Sequence, residues 1–222
     1  MTDNRSPDLL NNLSNKERVK DDALSAELYS KRKPQKHKSE MKLVEDAFAR
    51  LSDSSLKSVL DAPCGVGRIS VWLARRGYQV TGIDLGSAAV GLARDAIYGN
   101  GLQAVIEKQN IMAMSFAERH FDCCICFRLL HHFAEPEQKE MLIRELCRVS
   151  NQYVVISYFS TISVTTLRRR LRRKLFGEPM QQNPDTLGDL QKYFKSNGFE
   201  LKTRIPRSRV LHSLQLAIFK RM

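Results

Sequence analysis

Val59-Leu60-Asp61-Ala62-Pro63-Cys64-Gly65-Val66-Gly67-Arg68-Ile69-Ser70 is the stretch that decides how this chain folds. Apolar residues run into an acid, a Gly-x-Gly turn follows, and a helical pattern opens behind it. A parallel strand hands over to a helix in this way around a nucleotide-like ligand. Gly65 and Gly67 carry no Cβ, so the backbone can turn sharply there and approach a ligand closely. The dinucleotide fingerprint G-x-G-x-x-G requires a third glycine where Ser70 stands, and no Lys-Ser/Thr pair of a phosphate loop follows. Asp61, at the strand end, repels a phosphate and favours a cation. Adenosine joined to a positively charged amino-acid tail suits this turn better than a pyrophosphate.

Working outward, strands and helices alternate. The apolar patterning predicts strands at 58–61, 78–84, 104–108, 121–127, 152–159, 199–205 and 214–220. Helices are predicted at 67–76, 87–98, 136–148 and 187–196, with Gly77 as a left-handed stop and Ser87 as an N-cap. The run at 121–127 is almost continuously apolar, as a strand covered on both faces must be. Upstream, 16–29 reads as a short amphipathic helix, and 30–38 as a basic run broken by Pro34. A second helix is expected over 40–51, capped by Ser39, with Met41, Val44, Ala47, Phe48 and Leu51 on one stripe.

Three segments in this order resemble the class I S-adenosylmethionine-dependent methyltransferases. Leu60 to Gly67 is similar to that family's first motif, Val80-Thr81-Gly82-Ile83-Asp84-Leu85 to its second strand with a terminal acid, and Phe121 to Phe133 to its fourth strand and the loop beyond. The resemblance covers roughly residues 56 to 159 and says nothing of the methyl acceptor. It implies an α/β, Rossmann-like doubly wound sheet of seven strands. That sheet is mostly parallel with an antiparallel edge strand, and helices cover both faces. It also implies a domain over 56–222 with a basic insertion at about 160–185, behind an N-terminal helical lid over 1–55.

The expected cofactor is S-adenosyl-L-methionine, with Asp61, Ala62, Gly65, Gly67, Asp84, Leu85, Asn110, Ile111 and Phe127 around it. Asp84 closes the second strand, where an acid accepts hydrogen bonds from both ribose hydroxyls. Leu85 would pack on the adenine. Asn110 stands where many relatives carry an Asp that receives the adenine amino group; its carbonyl oxygen can accept as well. His131 and His132 follow the fourth strand at the crevice mouth. Either is a candidate base for an acceptor hydroxyl or amine, and the competing reading is packing at a helix start. No metal is expected.

Composition narrows the partners. Of 222 residues, 42% are hydrophobic and 27% charged, as in an ordinary single α/β domain. No apolar run approaches the ~20 residues of a membrane span, and no signal-like core follows Met1. The five cysteines lie between 64 and 147. Cys123 and Cys126 form a C-x-x-C on a predicted strand, where residues three apart face opposite ways and cannot share a metal. A reduced, cytoplasmic setting is expected.

The net charge of +12 is localised: residues 59–159 carry 10 basic and 10 acidic side chains, residues 160–222 carry 14 and 4. Leu167, Leu171 and Leu175 share a helical stripe, with Arg168, Arg169 and Arg172 among the cations around it. With Arg128 these are candidate acceptor contacts, for a small-molecule or lipid- or glycan-linked anion, or an anionic surface at the inner membrane face. Two readings stand beside this. One is an RNA methyltransferase using the basic segment, although no aromatics are interleaved for base stacking. The other is a non-enzymatic module docking through its arginines.

Overall fold

The computed structural model describes residues 34–51, 55–161, 183, 185–206 and 214–222. The predicted helix at 16–29 and the segment holding Arg168, Arg169 and Arg172 lie outside the described residues. In chain order the elements are α1 (Pro34–Phe48), β1 (Ser58–Asp61), α2 (Arg68–Ala74), β2 (Gln79–Asp84), α3 (Ser87–Tyr98) and β3 (Val105–Lys108). There follow β4 (Phe121–Cys126), a 3-10 turn (Leu130–His132), α4 (Pro136–Val149), β5 (Ser150–Phe159), α5 (Leu187–Lys195), β6 (Phe199–Pro206) and β7 (Leu214–Arg221).

All seven strands join one sheet in the order β3-β2-β1-β4-β5-β7-β6. The first five run parallel. β7 is antiparallel to both β5 and β6, so the antiparallel pairs lie at that side of the sheet. The order reverses between β1 and β4, and ligands bind outside the strand ends at such a switch point. β1 and β4 are locked in register at their starts: Lys57 N, Ser58 N and Ser58 Oγ each donate to Asp122 Oδ2 at 2.9 Å. Burial works to raise the Asp122 pKa, but these donors hold it below the usual carboxylate range.

Alternation along the strands divides the core. Cys124 and Cys126 face a layer with Leu142 and Leu146 of α4 and Leu190 and Phe194 of α5. Cys123 and Ile125 face Leu43, Val44, Ala47 and Phe48 of α1 and Ile69 and Leu73 of α2. Cys123 and Cys126 thus point to opposite faces, as their spacing requires. All five cysteines are buried free thiols, and burial pushes the Cys123 thiol up, away from any reactive range.

Two helix N-caps differ from the sequence reading. α1 begins at Pro34 rather than at Glu40, and Ser39 lies inside it instead of capping it. Proline fits the first turn, where its missing N–H has no intrahelical acceptor, so Pro34 starts the helix instead of breaking the run. α1 also ends at Phe48; Arg50 N and Leu51 N bond to Ala47 O and Phe48 O in tightened turns. In α3 the cap is Gly86 and Ser87 is the first helical residue. Ser87 Oγ instead meets Lys108 Nζ at 2.7 Å.

Candidate active site

The crevice begins where β1 ends. Gly65 and Gly67 have φ of +55° and +78°, and Gly67 gives way directly to α2. A Cβ on Gly67 would stand 3.0 Å from Ala93 Cα, so this glycine allows both the turn and the contact of α2 with α3. At the end of β2, Asp84 Oδ2 accepts from Gly65 N at 2.9 Å and Oδ1 from Gly86 N at 3.0 Å. One carboxylate therefore holds the glycine turn against the β2–α3 turn. Leu85 beside it is 46% exposed, an apolar side chain left open at the mouth of the crevice.

Asp61 is fully buried at the β1 end. Its Oδ2 accepts from Ser70 Oγ at 2.7 Å, and its Oδ1 has no partner among the described residues. Burial pushes its carboxyl up to about 7, against the pull of the Ser70 bonds and the Arg68 charge. Ser70 thus stands at the third-glycine position because it is a donor to Asp61. Ala62 is wholly buried and its N–H donates to Ile125 O, so it offers a ligand only backbone. After β3, Asn110 Oδ1 accepts from Met112 N at 2.9 Å, closing an Asx turn. Ile111 is half-buried against the α4 side of the core, and Phe127 is buried on the α1 side.

Beyond β4 the backbone at Arg128 enters the left-handed region at φ +61°, and its N–H donates to Ser157 Oγ of β5. The Arg128 side chain reaches Glu40 Oε1 on α1. Glu40 is only 2% exposed, and its other oxygen meets the Arg68 guanidinium at 3.5 Å. Neither Glu40 nor Arg68 stood out in the sequence as a site residue. His131 is 1% exposed, edge-on to Phe159 with ring centroids 4.5 Å apart. His132 is exposed and stacks obliquely on His131 at 4.2 Å.

The chain returns to this mouth after residue 182. Asn183 N donates to His131 O at 3.0 Å, Asp185 N to Phe159 O at 2.9 Å, and Ser160 bridges Asp185. Lys139 Nζ of α4 pairs with Asp185 Oδ1 at 2.6 Å, both side chains buried.

Asp61, Gly65, Gly67, Asp84 and Leu85 thus gather along the β1 and β2 ends, and Phe127, Arg128, His131 and His132 along the β4 end. Asn110 and Ile111 close the β3 side. A family model described as a methyltransferase domain matches residues 59–152. Residues 59–152 are thus similar to a methyltransferase domain. Curated relatives of the chain include a "Ubiquinone biosynthesis O-methyltransferase" of Azoarcus sp. (strain BH72), 42% identical over 84 residues, 36% of this chain and 35% of that one. Another of the same name, from Nitrosospira multiformis, is 33% identical over 119 residues, 53% of this chain and 47% of that one. The chain therefore spans half or less of these relatives' lengths.

Among solved structures, magnesium protoporphyrin IX methyltransferase from Synechocystis PCC 6803 with bound SAH superposes at a TM-score of 0.71. It is 21% identical and covers 82% of this chain and 83% of that one, a likeness of fold. The crevice has the shape and chemistry for an adenosyl sulfonium on its own residues. The orphaned Asp61 oxygen asks for a donor, the glycine turn leaves room, and Leu85 offers an uncovered apolar face.

Proposed function

We propose that the chain binds S-adenosylmethionine in this crevice and transfers its methyl group to a small-molecule acceptor. The observation that carries the reading is the pairing of Asp84 with the glycine turn beside the unsatisfied Asp61 oxygen. Asp84 keeps free lone pairs for ribose hydroxyls while its two backbone donors hold it in place. Leu85 packs one face of the adenine, Asn110 and Ile111 border its edge, and Asp61 faces the cationic end. Ala62, Gly65, Gly67 and Phe127 shape the wall through backbone and bulk.

Bound there, the cofactor supplies a methyl group already activated on a sulfonium centre. The protein's share is then alignment and proton management. His132, exposed at the mouth, is placed to hold the proton given up by an acceptor hydroxyl, with His131 buried behind it as a ring-to-ring support. The relatives named O-methyltransferases favour an oxygen acceptor.

The finer reading is an anionic acceptor, small or lipid-linked. It rests on the 14 basic against 4 acidic side chains of residues 160–222. The ends of the basic insertion, Ser160 and Asp185, meet at the top of β5 beside His131. Arg168, Arg169 and Arg172, which lie outside the described residues, are the candidate contacts to that anion, and α1 stands on the opposite face of the sheet from α4. A cytoplasmic enzyme that works at an anionic membrane face accords with this charge. No helix among the described residues is long and apolar enough to cross a membrane.

The test is S-adenosylhomocysteine added to the purified chain. A ligand at ~100 times its Kd stabilises the native state by about 2.7 kcal/mol, a readily measured rise in melting temperature. No rise with either cofactor form at saturation overturns the reading. Transfer of labelled methyl groups into fractionated extract then separates acceptors: label in an acidic small-molecule or lipid fraction supports the finer reading, and label in RNA refutes it.

A further inference from the structure

The chain between β3 and β4, residues 109–120, is long for a connection within a parallel sheet, yet it is tied down along its length. It leaves the sheet beside the end of β2, where Gln109 N donates to Asp84 O at 3.1 Å. The Gln109 side chain closes the loop at its foot: Oε1 accepts from Ser115 N at 3.1 Å and from Ser115 Oγ at 3.2 Å. Met114, at the loop's centre, is buried against the α4 side of the core.

A buried backbone needs partners for its N–H and its C=O. Met114 takes both from one pair of side chains on α4. Its N–H donates to Glu145 Oε1 at 2.8 Å, and its carbonyl accepts from Arg148 Nη2 at 2.9 Å. Arg148 Nη1 reaches on to Phe116 O at 2.7 Å. Glu145 and Arg148 are joined to each other, Nε to Oε2 at 2.8 Å and Nη2 to Oε1 at 2.7 Å, with side chains 15% and 28% exposed. The Arg148 carbonyl also accepts from Arg119 N at 2.8 Å. The pair does for this loop what a neighbouring strand does for a strand, and the planar guanidinium fixes direction as well as distance.

An ion pair one turn apart on a helix stabilises little by itself. The consequence lies in what the loop carries. Two residues before Met114, Met112 N donates to Asn110 Oδ1 at 2.9 Å, and Ala113 N donates to Asn110 O at 3.0 Å. The first bond fixes which end of the Asn110 amide is the oxygen, and that oxygen keeps a second lone pair. An acceptor held in one place suits a base edge that carries an amino group and rejects one that carries a carbonyl. We infer that Glu145 and Arg148 are positioning residues for base recognition: by holding Met114 and Phe116 they hold Met112 N, and so set the Asn110 oxygen that selects adenine over a 6-oxopurine. Both act through the loop and not on the ligand.

This inference rests on the cofactor reading above, with Asn110 at the adenine edge, and the experiment separates the two. Calorimetry on the full chain compares S-adenosylhomocysteine with S-inosylhomocysteine, which has the same ribose, sulfur and amino-acid end but a carbonyl in place of the amino group. The wild type is expected to favour S-adenosylhomocysteine by ~10-fold or more, since two facing acceptors are both left unpaired. Arg148→Met and Glu145→Ala each reduce that preference to about threefold or less, the loss of one neutral hydrogen bond, and leave S-inosylhomocysteine within twofold. Glu145→Gln keeps an acceptor for Met114 N and restores most of the preference. In the unliganded wild type, the Met112 and Met114 amides exchange their hydrogens at least ~100-fold more slowly than an unstructured chain does.

Unchanged preference in folded Arg148→Met or Glu145→Ala protein overturns the positioning role. So does equal weakening of both ligands, which would make the pair a support of the whole crevice. Unprotected Met112 and Met114 amides overturn it with no variant at all, so a substitution that fails to fold does not remove the test. Wild-type protein that binds both ligands equally overturns the base selection and leaves the cofactor site standing. Wild-type protein that binds neither ligand overturns both readings together.

Discussion

Asp84 does two jobs with one carboxylate. It accepts from Gly65 N and Gly86 N, so it shapes the crevice before any ligand arrives. Asp84→Asn turns one acceptor into a donor facing an N–H. It should cost about 1.5–3 kcal/mol of stability, the scale for a hydrogen bond to a charged group, and raise the Kd for S-adenosylhomocysteine at least tenfold. Urea unfolding and calorimetry check both; a loss of binding with unchanged stability would show that the turn does not depend on this acid. Asp61 predicts a pH effect. Its carboxyl, pushed up to about 7 by burial, holds a proton in the folded chain that the unfolded chain releases near pH 4. Its stabilising share is complete below that value and is lost as pH rises toward 7 and beyond. The unfolding free energy of wild type minus that of Asp61→Asn should therefore fall by about 2–4 kcal/mol between pH 4 and 8. A flat difference would mean that Asp61 is ionised throughout. Asp84 was legible because an acid ending an apolar run is a local pattern. Ser70 was legible only as an absent glycine, since its bond to Asp61 depends on how α2 leans back over β1.

At the scale of elements, the glycines separate local strain from packing. Gly67 and Gly77 both have φ near +80°, but a Cβ on Gly67 meets the Ala93 backbone at 3.0 Å, and on Gly77 it meets nothing within 4 Å. Gly77→Ala should cost about 1–2 kcal/mol, the left-handed penalty alone. Gly67→Ala adds the overpacking of α2 on α3 and should reach about 2–5 kcal/mol. Equal losses in urea unfolding would mean that α2 can move away from α3 at no cost. The five parallel strands and their helices could be read from the sequence because each has its own apolar period and stop. The start of α1 could not. A proline inside a basic run reads as a breaker until the helix is seen to begin on it, and Glu40 in its first half meets partners 28 and 88 residues away. The left-handed backbone of Arg128 was hidden for the same reason, because its support is a serine on the next strand.

At the scale of the whole molecule, charge divides the labour. The stretch from 59 to 159 is neutral and holds the crevice at the β1 and β2 ends, while the excess of cations follows β5. The two parts are joined where the chain returns to the sheet at Asp185, beside Ser160 and Phe159. The buried Lys139–Asp185 pair fixes that return to α4, which packs on the opposite face from α1. Lys139→Met leaves the Asp185 carboxylate buried without its cation and should cost about 3–5 kcal/mol at neutral pH. Burial raises the Asp185 pKa against the pull of Lys139. In the variant that pull is gone, so Asp185 takes up a proton at higher pH still, and the penalty should shrink steadily as the pH is lowered. Lys139→Met paired with Asp185→Leu should recover most of the loss, because a buried pair is replaced by apolar groups of similar reach. Since neither residue touches the β2 end, S-adenosylhomocysteine affinity should stay within twofold in the folded double variant, while methyl transfer to an anionic acceptor falls. Equal loss of cofactor affinity and turnover would place this pair in the nucleoside site's support and not in the acceptor's.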